Sequence, residues 1–251
     1  MHRLLETKAL TIGVASRIFC KDFNIQINPH EIWGILGANG SGKTTLLHTL
    51  QGLIQPLSGD VFLKNQNLTT LSYKEIARSS GILFQNTSVP FVQTVYDYCA
   101  MARFPHFNDF TKKEHQIIIT QALEDLELTH LSSQKVSTLS GGEKKRLYIA
   151  ALLIQSPQLF LLDEPTNHLD IYYQIKILNH FKKISQSQPI SILMSLHDIN
   201  LAEIICDKII LLLDNGQWLA GATHSLLTQD NLQRVFHQTI KKEKLAWLPA
   251  F

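Results

Sequence analysis

Eight consecutive residues, Gly37-Ala38-Asn39-Gly40-Ser41-Gly42-Lys43-Thr44, have the types and spacing to hold a phosphate chain. They fit the pattern G-x-x-x-x-G-K-[ST]. Glycines let a backbone wrap closely around phosphate oxygens. Successive amides ahead of a helix attract negative charge. In such a loop the stretch from Gly37 through Asn39, Gly40, Ser41 and Gly42 supplies backbone donors. Lys43 then reaches the β- and γ-phosphates, the Thr44 hydroxyl ligates Mg²⁺, and Thr45 follows at the same end. The chemistry is nucleotide binding; the loop alone says neither which nucleotide nor to what end.

A second segment, Leu159-Phe160-Leu161-Leu162-Asp163-Glu164, is an apolar run ending in two carboxylates. As a strand it can lie beside the strand that leads into the loop. Asp163 is then placed to coordinate Mg²⁺, directly or through water, and Glu164 to orient and deprotonate an attacking water. Gln85 and His197 each follow a short apolar run. Gln85 suits contact with Mg²⁺ and the water, and His197 a hydrogen bond to the γ-phosphate, because open α/β sheets bind ligands at the carboxyl ends of their strands. Taken singly, Gln85 is as readily a turn former, and a lone histidine is more often structural or exposed.

The elements that must position these groups follow from hydrophobic periodicity. Residues 31–36 read as a buried strand, the glycine turn follows, and 43–51 read as a helix. Further strands are expected over 81–84, 159–163, 190–195 and 208–213, with helices over 172–185 and 199–206. Strand and helix in alternation imply an α/β domain with a mostly parallel sheet. From about 92 to 155 the pattern is helical, at 95–103, 112–126 and 142–155. This implies a helical subdomain inserted into a core formed by about 1–91 and 156–221. Asp214-Asn215-Gly216 is a hairpin signal that places a strand from about Trp218. The remainder, about 222–251, reads as a C-terminal tail. In it Lys241, Lys242 and Lys244 beside Trp247 suit a solvated segment better than a lipid contact.

The 251 residues fit one large domain, and a net charge of +2 gives no reason to expect a nucleic-acid partner. The longest fully apolar run, 147–154, is far short of the roughly 18 residues of a membrane span. Glu6 and Lys8 stand where an export signal would need its apolar stretch. Cys20, Cys99 and Cys206 are scattered without metal-ligand spacing, as in a cytosolic protein with reduced thiols.

At Leu139-Ser140-Gly141-Gly142-Glu143 the sequence resembles the LSGGQ signature of ABC ATPases, with Glu143 in place of the usual glutamine. The resemblance covers nearly the whole chain and keeps the family's order: loop, Gln85, signature, Asp163-Glu164, Asn167-His168-Leu169-Asp170, His197. It implies a P-loop NTPase (RecA-like) core with an N-terminal antiparallel β portion and the inserted helical subdomain. It also implies ATP hydrolysis with Mg²⁺. In the family, Ser140, Gly141 and Gly142 face the γ-phosphate held by the opposite subunit, and Asp170 lies near that interface. The implied assembly is therefore a head-to-tail homodimer that sandwiches two ATP. The family commonly stacks adenine on an aromatic residue well before the loop, where this chain has Val14. Phe19 and Arg17 lie near but off that position, and the adenine contact stays unassigned.

Three stretches resemble the ATPases of importers for ferric siderophores, haem and vitamin B12: Thr94-Val95-Tyr96-Asp97 on to Ala102-Arg103-Phe104-Pro105-His106, Asp163 on to Gln174, and Ser195 on to Ala202. Zinc and manganese importer ATPases share part of this similarity. The resemblance implies two integral-membrane permease subunits, an extracytoplasmic substrate-binding protein, and a peripheral location on the cytoplasmic face of the membrane. Phe91, Val92 and Tyr96 are expected either in a docking groove for a permease helix or in the subdomain's own core. Exporter ATPases and non-transport relatives such as iron–sulfur assembly factors are the competing readings.

Overall fold

The computed structural model describes residues 3–14, 17–85, 94–243 and 246–249. Phe91 and Val92, expected near a docking groove, lie outside them. Thirteen strands form among the described residues: β1 (Leu5–Val14), β2 (Arg17–Phe23), β3 (Gln26–Ile27), β4 (Ile32–Gly37), β5 (Ser58–Leu63), β6 (Gln66–Asn67), β7 (Ser80–Leu83), β8 (Leu159–Leu162), β9 (Ser191–Ser195), β10 (Lys208–Leu212), β11 (Trp218–Ala222), β12 (Ile240–Glu243) and β13 (Ala246–Pro249). The α-helices are α1 (Lys43–Leu50), α2 (Tyr73–Ser79), α3 (Val95–Met101), α4 (Lys112–Asp125), α5 (Gly141–Gln155), α6 (Ile171–Ser187), α7 (Ile199–Ile205), α8 (Thr223–Leu226) and α9 (Gln229–Phe236). None is long and apolar enough to cross a membrane.

The central sheet runs in the order β11-β10-β4-β9-β8-β7. Every neighbouring pair from β10 to β7 is parallel, and β11 joins β10 antiparallel. These strands read as near-continuous apolar runs because both faces of the sheet are buried. Side chains still alternate. Leu36, Phe160, Leu162, Ile192, Met194, Ile209 and Leu211 enter one core with the long helices. Trp33, Ile35, Leu159, Leu161, Leu193, Ile210 and Leu212 enter a second core with α1 and the N-terminal strands. Those N-terminal strands form an antiparallel sheet in the order β2-β1-β5-β6, with β3 pairing β1. One correction follows from the strand order: β8 does not lie beside β4, because β9 intervenes. The expected Asp214-Asn215-Gly216 turn connects β10 to β11, with positive φ at Asn215 (56°) and Gly216 (75°).

Helix starts are marked by side-chain chemistry. Ser72 with Glu75, Thr94 with Asp97, Thr111 with Glu114, and Ser140 with Glu143 each form a capping box at the head of α2, α3, α4 and α5. Each box satisfies N–H groups that a helix start leaves without intrahelical partners. The stretch after Ala222 is built of elements rather than extended chain. Leu232 and Val235 of α9 join the larger core, and Lys242 pairs with Glu203 of α7.

The helices α3–α5 lie between β7 and β8 in sequence and are tied to the core helix α6 by polar bonds. Glu127, just past α4, accepts hydrogen bonds from the Tyr172 hydroxyl (3.0 Å), the Tyr173 hydroxyl (2.9 Å) and Lys176. Arg146 of α5 stacks over Tyr173, its guanidinium carbon 4.1 Å from the ring centroid, and donates to the Leu126 carbonyl at 2.7 Å. Lys176, then Tyr173 and Tyr172, hold the Glu127 carboxyl down at about 2. A folded pKa below the unfolded one stabilises above the unfolded value and is lost as pH falls through the folded one. The Glu127 contribution is therefore expected intact above about pH 4.5 and lost towards pH 2. Glu127→Gln is predicted to flatten acid destabilisation in that window, measured by denaturant midpoints at several pH values. An unchanged slope would show that the carboxylate bears no such linkage.

Candidate active site

The carboxyl ends of β4, β9, β8 and β7 converge, because these four strands are successive parallel neighbours. Each delivers one part. The glycine loop follows β4, Asp163 and Glu164 follow β8, Gln85 follows β7, and β9 ends in Ser195 two residues before His197. A cavity of about 580 Å³ opens there, lined among others by Asn39, Gly40, Lys43, Gln85, Glu164 and His197. Gly42, Thr44 and Thr45 also line it.

Local conformation explains the loop's composition. Gly42 caps α1 with φ of 98°, a left-handed value that glycine adopts without strain. A Cβ there would also stand 2.5 Å from Phe19. Lys43 is buried and its Nζ donates to the Gly37 carbonyl (2.8 Å) and the Ala38 carbonyl (3.2 Å). Burial lowers its pKa, while the charges of Glu164 and Asp163 act in the opposite direction. Its ammonium is thus held at the loop by weak neutral acceptors that an anion can replace. Ser41 Oγ is buried among the loop atoms without a hydrogen-bond partner.

Asp163 is wholly buried, and each of its carboxylate oxygens has a donor. Thr44 Oγ1 donates to Oδ2 at 2.7 Å, and Ser195 Oγ donates to Oδ1 at 2.7 Å. The same Ser195 oxygen accepts the Glu164 N–H at 2.9 Å. Glu164 has φ of 47°, an uncommon value for a non-glycine residue. Its carboxylate accepts from Gln85 Nε2 at 2.6 Å and from Asn167 Nδ2, and is joined to His197 Nε2. Gln85 and His197 were expected at the metal and the γ-phosphate; here both side chains sit on Glu164. Behind them Lys145 of α5 is buried with Nζ 3.5 Å from the Asp163 carbonyl, and burial pushes its pKa down to about 8.

The signature residues do not line this cavity. The backbone N–H and the hydroxyl of Ser140 both donate to Glu143 Oε2, each at 2.7 Å. The side of Gly141 where a Cβ would stand is open space. Asp170 caps α6 by accepting the Tyr173 N–H at 2.9 Å. Ser140, Gly141 and Asp170 are each exposed, and none lines the cavity. A further cavity of about 320 Å³ next to Gln85 is lined by Ile82, Phe84, Tyr98, Met101 and Tyr148, and Tyr96 is not part of it.

Sequence reasoning missed Ser195, Asn167 and Lys145. Ser195 ends an apolar strand and resembles any strand-terminal serine. Asn167 was legible only as part of a turn. Lys145 on a helix reads as a solvated charge, and only the fold shows it buried. Ser195→Ala is predicted to leave Asp163 Oδ1 and the Glu164 N–H without partners. It should lower stability by about 1–3 kcal/mol, read as a shift in denaturant midpoint, and an unchanged midpoint would contradict the bridging role.

A family model described as "ABC transporter" matches residues 20–167. The ferric enterobactin transport ATP-binding protein FepC of Escherichia coli (strain K12) is 34% identical over 234 residues, covering 92% of this chain and 86% of that protein. The hemin import ATP-binding protein HmuV of Bordetella pertussis (strain Tohama I) is 33% identical over 240 residues, covering 92% of this chain and 91% of that one. Among solved structures, a metal-chelate type ABC transporter in an inward-facing conformation superposes with a TM-score of 0.83 at 29% identity, covering 99% of this chain and 98% of that chain. A loop, a carboxylate pair and a signature helix in this arrangement, with matches of this length, make the chain a member of the ABC transporter family.

Proposed function

We propose that this chain is the ATP-binding, ATP-hydrolysing subunit of an importer for an iron complex or haem, with cobalamin as the third cargo of the resembled branch. The observation that carries the reading is the Glu164 carboxylate. Gln85, Asn167 and His197 hold it at the wall of the cavity that also contains Lys43 and Thr44. The ferric enterobactin and hemin relatives support the cargo class.

Lys43 moves its ammonium from the loop carbonyls to the β- and γ-phosphates, and the loop amides with Thr45 hold the rest of the phosphate chain. The oxygens of Thr44 and Asp163 are adjacent, and Gln85 keeps a carbonyl oxygen after giving its NH₂ to Glu164. Such an all-oxygen set suits Mg²⁺, which when bound neutralises charge on the phosphates. Glu164 orients and deprotonates the water, and His197 and Gln85 keep the carboxylate in place and meet the γ-phosphate side. Ser140, Gly141, Gly142 and Asp170, which do not line this cavity, serve the nucleotide of a second copy. That yields a head-to-tail dimer with two ATP at its interface.

Closure of that dimer moves α3–α5 and, through the cavity beside Gln85, two permease subunits. The ATPase then works at the cytoplasmic face of a membrane, and a substrate-binding protein acts on the far side. Glu164→Gln is predicted to lower ATP turnover by about 10²- to 10⁴-fold, the usual scale for losing a general base. It should retain ATP binding and accumulate as an ATP-bound dimer on gel filtration, and near-normal turnover would remove Glu164 from the role. Lys43→Ala should instead lose nucleotide affinity. Purification of the intact complex from membranes is expected to bring down hydrophobic permeases; soluble assembly factors in their place would overturn the transport reading.

A further inference from the structure

The cavity is specified at its phosphate end, but a nucleotide also needs a surface for its base. The position where the resemblance places an aromatic holds Val14, which is 56% exposed. Val14 pairs across the β1–β2 hairpin with Arg17. Directly opposed residues of an antiparallel pair share one face of the sheet, so Arg17 projects on the side that an aromatic at position 14 would have used.

Phe19 follows two residues later. Gly13 pairs with Ile18 and Ile12 with Cys20, so Phe19 is an extra residue without a partner opposite it. That is a β-bulge, a device that re-aims a side chain. Phe19 lines the same cavity as Asn39, Lys43 and Thr44. Its Cβ and Cγ stand 2.5 Å from where a Cβ would project on Gly42. The Arg17 guanidinium carbon lies 5.4 Å from the Phe19 ring centroid. Arg17 Nη1 is 3.8 Å from the place a Cβ would take on Gly40. The guanidinium therefore reaches the loop across the ring of Phe19.

We propose that Arg17 and Phe19 together form the base platform of the nucleotide site, stacking a base on the guanidinium plane and the Phe19 ring in place of an aromatic at position 14. Guanidinium groups stack on aromatic faces. Stacking on a face accepts any base, since every base has one. The ligand class is a nucleoside triphosphate whose base is held by its face rather than read at its edge. The inference rests on the nucleotide reading above.

The test measures equilibrium binding of MgATP, MgGTP and inorganic tripolyphosphate to the full chain and to Arg17→Ala, Arg17→Lys and Phe19→Ala. The native chain should bind ATP and GTP within about threefold of each other, as face stacking requires. Arg17→Ala and Phe19→Ala should each weaken both nucleotides about tenfold, on the scale of one lost stack. Arg17→Lys, which keeps the charge and loses the plane, should behave like Arg17→Ala. Tripolyphosphate binding should be unchanged throughout.

Native ATP affinity in both alanine variants overturns the platform. So does full retention by Arg17→Lys, which assigns charge alone, and so does an equal loss of tripolyphosphate, which assigns the effect to the loop. Strong preference of the native chain for ATP over GTP overturns face recognition. A native chain that binds neither nucleotide nor tripolyphosphate refutes the nucleotide reading itself, an outcome distinct from failure of the platform alone.

Discussion

The arrangement depends on keeping one charge buried. Asp163 is fully enclosed, and an isolated carboxylate there would carry a large desolvation cost. It is tolerated because each oxygen has its own donor, Thr44 from the loop and Ser195 from β9. These two bonds join three strand ends that are far apart in sequence. They also fix the loop helix to the carboxylate strand, since Thr44 lies in the first turn of α1. Ser195 spans the gap created by β9 lying between β4 and β8, and by accepting the Glu164 N–H it sets the direction in which that residue leaves the strand.

Glu164 is also buried, at 7% exposure, but unlike Asp163 it lines the cavity. Its backbone sits in a left-handed conformation, and its carboxylate is shared by an amide from β7, an amide from the following turn, and the imidazole beyond β9. Strain of this kind persists where the surroundings over-determine it, and it is concentrated at functional sites. One strand end thus carries two carboxylates in different circumstances: Asp163 is enclosed away from the cavity, and Glu164 is bonded to three side chains at the cavity wall. Lys145 adds a buried cation from the signature helix behind both, so the inserted helices meet the site through charge as well as packing.

Much of this was legible in the residue pattern. The apolar runs entering the loop and the carboxylate pair, the helical stretch between β7 and β8, and the Asn215-Gly216 turn all follow local rules that a linear reading captures. The order of strands does not. Nothing local in Ser191–Ser195 says that it lies between β4 and β8, so the bridging role of Ser195 was hidden with it. Glu143 was visible as a departure from the usual glutamine, but its effect, closing a capping box on Ser140, appears only once α5 has a start. The residues after Ala222 carry few strong signals, and their order comes from tertiary docking of α9 on the core.

The position of β4 in the central sheet also constrains how the protein is made. β4 is the first strand of that sheet to leave the ribosome, yet both of its neighbours, β9 and β10, are encoded more than a hundred residues later. Until they emerge, its two edges have no partners from this sheet, and unpaired edges of apolar strands invite association with other chains. Pairings of such long sequence separation also form slowly. The glycine loop at the end of β4 therefore exists as sequence long before it exists as a site. A nascent chain acquires the geometry for nucleotide only when nearly all of its core has been synthesised.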